Sequence, residues 1–257
     1  MENKLRIALV QTELAWEDPQ FNRNMLENKI ESLANEVDLI ILPEMFTTGF
    51  TMNPILNFET MEGKTVEWLT QMTSKLTSAI CGSVIIKDEE NYYNRFIFVK
   101  PDATVAYYDK RHTFTLAGEH KSYSAGLKKV IMEYKGWKIC PQVCYDLRFP
   151  VWSRNTDNYD ILIYVANWPS KRILAWDTLL RARSIENMTY TIGVNRVGMD
   201  ENHLDYSGHS AIYDALGSTV VYSEKEEILR ATLDKTEISQ HRNTLRFLED
   251  RDQFTVK

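Results

Sequence analysis

The chain has 257 residues, of which 44% are apolar and 26% charged, with a net charge of −6. That balance is ordinary for a globular protein, and mild acidity without a long basic block argues against a nucleic-acid partner. No apolar run approaches the roughly 18 residues that span a bilayer, and MENKLRIALVQTE reaches polar Gln11 too soon for a signal peptide. A cytoplasmic location with no membrane partner is therefore expected.

Leu5 to Val10 is apolar and β-rich and reads as a buried first strand. Asn22 is placed to cap a helix whose apolar positions Leu26, Ile30, Leu33 and Val37 recur at helical spacing. The run from Asp38 to Pro43 reads as a second buried strand, stopped by its proline. Thr65 to Leu76 is an amphipathic helix and Ala79 to Ile86 a third strand. Arg95–Val99 and Ala103–Tyr108 flank the turn at Lys100-Pro101-Asp102, and Val130–Tyr134 and Trp137–Val143 flank Lys135-Gly136. Then come a short helix from Phe149 to Asn155, a buried strand from Tyr159 to Ala166 and a long helix from Arg172 to Met188. Strands at 190–195, 210–213, 219–222 and 228–233 precede a last helix ending near Leu245. There is no linker or repeat, so residues 1–257 read as a single α/β domain. Its strands are too many for one sheet, which predicts layered sheets covered by helices.

Three cysteines are an odd count and no disulfide framework. The five histidines form no ligand-spaced cluster beside them, so no metal is expected. Cys144 ends the strand Trp137–Val143 at a turn into a helix, where oriented backbone N–H groups favour a thiolate and can hold an oxyanion. Cys140 and Cys81 lie within strands, where a cysteine acts as a small hydrophobe. Burial is the competing reading for Cys144 as well. Glu44 follows a buried strand, the end at which α/β folds keep their sites, and there it is placed to take a proton. A solvated loop glutamate is the alternative. Lys110 follows another strand, where a fixed cation stabilises developing negative charge, although Arg111 and His112 beside it serve equally on local grounds. Asp146 and Arg148 flank the cysteine and read as structural support. The six tryptophans read mostly as core.

Three segments together carry a resemblance. LPEMFTTGF around Glu44, YDKRHTF around Lys110 and CYDLRFPVWSRN around Cys144 resemble, in order and spacing, the signatures of the nitrilase, or carbon–nitrogen hydrolase, superfamily. AGEHKSYSAG and ANWPSKRILAWDTLLRARSIEN are similar to its omega-amidase branch, whose members hydrolyse the terminal amide of 2-oxoglutaramate and 2-oxosuccinamate. The resemblance covers nearly the whole chain. It implies a four-layer α-β-β-α sandwich and a catalytic triad of Glu44, Lys110 and Cys144. Glu119 is implied as an additional carboxylate that positions the lysine and substrate. It further implies no metal or organic cofactor, and a homodimer formed through helices near the nucleophile. On that reading Cys144 forms a thioester, with Lys110 and the backbone N–H of Tyr145 as oxyanion donors. Arg172 is the expected partner of the substrate carboxylate, and Met45, Phe46 and Trp168 are expected pocket walls. The alternatives within the superfamily are an N-carbamoyl amino acid amidohydrolase and a deaminated-glutathione amidase. Outside enzymes, the alternative is a catalytically idle binding protein of the same fold.

Overall fold

The computed structural model describes residues 3–256. Its strands are β1 Lys4–Gln11, β2 Leu39–Ile41, β3 Ala79–Asp88, β4 Asn91–Val99, β5 Val105–Asp109, β6 Met132–Tyr134 and β7 Trp137–Val143. They continue as β8 Ile161–Ala166, β9 Tyr190–Asn195, β10 Val197–Met199, β11 Asp205–Ser207, β12 Ser210–Tyr213, β13 Thr219–Ser223 and β14 Glu227–Asp234. The helices are α1 Pro19–Ile30, α2 Pro54–Asn57, α3 Lys64–Leu76, α4 Glu119–Ser122, α5 Pro150–Ser153, α6 Ile173–Asn187 and α7 Lys235–Leu245.

Two six-stranded sheets share one plan. The first runs β14-β1-β2-β3-β4-β5 and the second β13-β12-β9-β8-β7-β6. Each has three parallel strands at its centre, β1-β2-β3 and β7-β8-β9, and antiparallel strands outside them. The central strands are apolar without alternation because both of their faces are covered. Leu5, Ile7 and Leu9 of β1 face Ile161, Ile163 and Val165 of β8 in the layer between the sheets. The intervening Ala8 and Val10 meet Leu26 and Ile30 of α1 and Leu69 and Met72 of α3. In the same way Leu162, Tyr164 and Ala166 turn outward onto Trp176 and Leu180 of α6. The period-two side-chain alternation of a strand thus produces helix, sheet, sheet, helix, the expected four-layer sandwich.

Two local expectations are corrected. Asp18, not Asn22, caps α1, with its carboxylate accepting from the Phe21 N–H at 3.0 Å and Pro19 in the first turn. Asn22 lies inside that helix, wholly buried, and bonds the backbone of Ala15 and of Thr47. It ties the helix to the loop that follows β2. The helix predicted from Phe149 to Asn155 shortens to α5, because Arg154 leaves helical geometry at ψ 132. The β10–β11 ribbon has no sequence signal: its three-residue strands are too short to show a period.

Candidate active site

Glu44 stands three residues beyond β2, at the C-terminal edge of the first sheet. The chain turns sharply there, with Met45 at φ 44 and its N–H held by the Ser83 hydroxyl at 2.9 Å. The Glu44 carboxylate is fully buried. One oxygen accepts from Asn94 at 2.7 Å and from Lys110 Nζ at 3.0 Å. The other accepts from the Asn167 backbone N–H at 2.8 Å, and the Asn167 amide also donates to the Glu44 carbonyl at 2.7 Å. Asn167 follows β8 of the second sheet, so this carboxylate is clamped between the two sheets.

Lys110 follows β5, with its N–H on the Asn94 carbonyl at 3.0 Å. Its ammonium, 1% exposed, reaches Glu44 at 3.0 Å and both oxygens of Glu119 at 2.9 and 3.0 Å. Burial alone would push this group down, but the carboxylates of Glu119 and Glu44 outweigh it and hold the ammonium above its ordinary value. Glu119, fully buried at the start of α4, is pushed up by burial and by the charge of Glu44, against the pull of Lys110. The ambiguity left by the sequence resolves here. Arg111 lies over the Trp152 ring at 5.1 Å and His112 bonds Asp146, so neither takes the place of Lys110.

Cys144 begins a five-residue 3-10 turn, Cys144–Arg148, directly after β7, and its φ of 44 makes the elbow sharp. Its Sγ lies 4.0 Å from the Asn167 carbonyl. The expectation that the turn favours a thiolate is not met. Part of the residue faces a cavity, yet the protein packed around the thiol pushes its pKa well up. The charge of Glu44 acts in the same direction, against Lys110. Burial therefore favours the thiol over the thiolate in the resting site. Cys140, buried in mid-strand, is pushed up to about 12 by burial and packs under α6, as its position in the sequence suggested.

Asp146 is the support predicted for it. Its buried carboxylate accepts from the Val143 N–H at 3.0 Å, the Tyr108 hydroxyl at 2.9 Å and the His112 N–H at 2.9 Å, and it meets His112 Nδ1 at 2.8 Å. One side chain thereby joins the cysteine elbow to the loop that carries Lys110. Its neighbour Arg148 makes no ion pair with it. Instead the Arg148 guanidinium lies 4.9 Å over the Trp168 ring and lines the cavity.

The cavity, about 550 Å3, opens above Cys144 and is walled by aromatic rings including Trp16, Phe50, Phe114 and Trp168. Tyr145 and Arg172 also line it, the latter with its guanidinium 5.2 Å over the Phe114 ring. Trp168 and Arg172, both expected at the substrate pocket, lie on the cavity wall. Phe46 is not: it packs with α1 and α3, pressed onto β3 where a Cβ on Gly82 would come within 2.8 Å of its ring. The turn at Met45 sends Phe46 to the helix face of the sheet, and Met45 itself packs against Ile85 and Tyr123. Sequence reasoning missed Asn94 and Asn167, which fix the carboxylate, and the ribbon residues Asp200 and Tyr206 on the cavity wall. Only Asn167 stood where a signal existed, directly after a predicted strand.

A sequence profile described as carbon–nitrogen hydrolase matches residues 6–243. An omega-amidase of Yersinia enterocolitica is 44% identical over 254 residues, 98% of each chain. A 2-oxoglutaramate amidase of Bacillus subtilis is 31% identical over 253 residues, 96% of this chain and 97% of that one. A solved carbon–nitrogen hydrolase superfamily protein of Xanthomonas campestris, with an arsenic adduct in its active site, is 44% identical with a TM-score of 0.98 over 100% of both chains.

Proposed function

This chain belongs to the carbon–nitrogen hydrolase family, a hydrolase of linear amides, and we propose that it cleaves the terminal amide of 2-oxoglutaramate or 2-oxosuccinamate through a thioester on Cys144. The observation that carries this reading is Lys110 held between Glu44 and Glu119, with Cys144 at the strand-end elbow that faces the cavity.

The chemistry follows from that starting state. The Cys144 sulfur attacks the amide carbonyl as Glu44 takes the thiol proton, so no free thiolate has to accumulate. Lys110 and the Tyr145 N–H stabilise the tetrahedral oxyanion. Glu44 returns its proton to the departing nitrogen, the C–N bond breaks, ammonia leaves and the acyl group remains on sulfur. Water then attacks the thioester as Glu44 takes its proton. The C–S bond breaks, Glu44 reprotonates the sulfur, and the dicarboxylate departs. Glu119 keeps Lys110 in place and shares its charge, leaving Glu44 free to cycle. Arg172, joined to no carboxylate among the described residues, is the partner for the carboxylate at the substrate's 2-oxo end. The absence of disulfides among the three cysteines suits a reducing cytoplasm, where such a nucleophile stays available.

Acid quenching during turnover, followed by peptide mass analysis, tests the intermediate. An acyl adduct on Cys144, absent in Cys144→Ser, is expected. Mass on Cys140 would refute the assignment of the nucleophile.

A further inference from the structure

A family that hydrolyses small amides has to choose between 2-oxo acids and the corresponding α-amino acids, glutamine and asparagine. The two differ at one carbon: the amino acid carries an ammonium there, and an ammonium in a cavity needs an acceptor, preferably a carboxylate. Among the described residues lining the cavity, Asp200 is the one acidic side chain. It is already occupied. One of its oxygens accepts from the N–H groups of Asn202 and Leu204 at 2.9 and 3.0 Å, and the other from the Tyr206 hydroxyl at 2.9 Å. The whole residue is 7% exposed.

The lock is built into the β10–β11 ribbon. Asp200 ends one strand's side of the tip and Tyr206 lies on the return strand, so the hydroxyl closes the ribbon across its mouth. The ribbon is latched in turn by Ser170, whose hydroxyl donates to Asp205 at 2.6 Å. Beneath the Tyr206 ring, 4.8 Å away, lies the guanidinium of Arg196. That group is fully buried, donates to the carbonyls of Leu14 and Val197, and makes no ion pair with a carboxylate among the described residues. It holds the ring from behind and adds positive charge on this side of the wall. The other charged groups lining the cavity are the guanidiniums of Arg148 and Arg172. The cavity therefore offers guanidiniums to an α-carboxylate, while its one carboxylate among the described lining residues is already hydrogen-bonded on both oxygens.

We propose that Tyr206 is a specificity-determining residue: by engaging Asp200 it competes for the carboxylate that would hold the ammonium of an α-amino amide, and so favours 2-oxo acid amides. This rests on the omega-amidase reading. Tyr206→Phe deletes only the hydroxyl and leaves the ring over Arg196. It should shift the ratio of kcat/KM for glutamine to that for 2-oxoglutaramate toward glutamine by about 10- to 100-fold, the worth of one hydrogen bond to a charged group. Adding Asp200→Asn should cancel the gain, because the released acceptor is then gone. Asp200→Asn alone should not move the ratio toward glutamine, since the carboxylate it removes is already masked. If Tyr206→Phe fails to fold, that variant still puts the inference at risk, through a shift toward glutamine. An unmoved ratio in folded Tyr206→Phe, a gain that survives in the double variant, or a shift toward glutamine in Asp200→Asn alone would each overturn the inference. A wild-type protein that releases no ammonia from 2-oxoglutaramate overturns the omega-amidase reading itself, and the inference with it.

Discussion

Glu44, Glu119 and Lys110 share a buried volume outside the cavity lining, and their arithmetic sets how Cys144 works. Two carboxyl groups share one ammonium there, so a thiolate would add a further negative charge to a desolvated site. The burial that dominates the shift of Cys144 acts in the same sense. Alkylation of Cys144 by iodoacetamide, followed by peptide mass against pH, should therefore show a midpoint above the ordinary thiol value of about 8.5. Glu44→Gln removes a negative neighbour and should move that midpoint down, while kcat falls by about 100-fold or more as the proton acceptor is lost. The two readouts separate charge from catalysis. A midpoint that stays fixed in the variant would contradict the coupling between Glu44 and the thiol.

The elements bring these residues together from distant points in the chain. Glu44, Lys110 and Cys144 each follow a strand, and the loops that carry them are joined by Asn94, Asn167 and Asp146 rather than by contact among the three alone. The helices beside the nucleophile also leave apolar side chains uncovered. Val151 on α5 is 55% exposed, and Leu174 and Ile185 on α6 are 78% and 47% exposed. The homodimer expected from the family resemblance would use this surface, since apolar residues left open on helices that both pack beside the Cys144 turn are a ready interface. Light scattering should then give twice the 30.0 kDa chain mass, and Leu174→Glu should return it to a monomer. A wild-type monomer at assay concentration would remove this expectation.

At the scale of the whole molecule, much of the layering was legible because burial on both faces leaves a direct trace. Leu39 to Leu42 and Ile161 to Ala166 have no polar alternation, and such runs fit only a sheet covered on each side. The strand-end positions of Glu44, Lys110 and Cys144 were legible, but local sequence left alternatives for each, and the triad was expected only from the family resemblance of three segments taken together. What stayed hidden depends on local geometry. A left-handed turn at Met45 decides that Phe46 leaves the cavity, and nothing in the residue types announces it. Asn94 looks like any strand residue until its partners across the fold are known. The ribbon bearing Asp200 and Tyr206 is too short to show a period. Ammonia release from 2-oxoglutaramate, glutamine, asparagine, N-carbamoyl amino acids and a simple nitrile, measured side by side for the wild type and Cys144→Ala, tests the central claim most directly. The predicted result is 2-oxoglutaramate as the best of these substrates and no turnover by the variant. Faster release from glutamine or an N-carbamoyl amino acid, or turnover by Cys144→Ala at the wild-type rate, would contradict it.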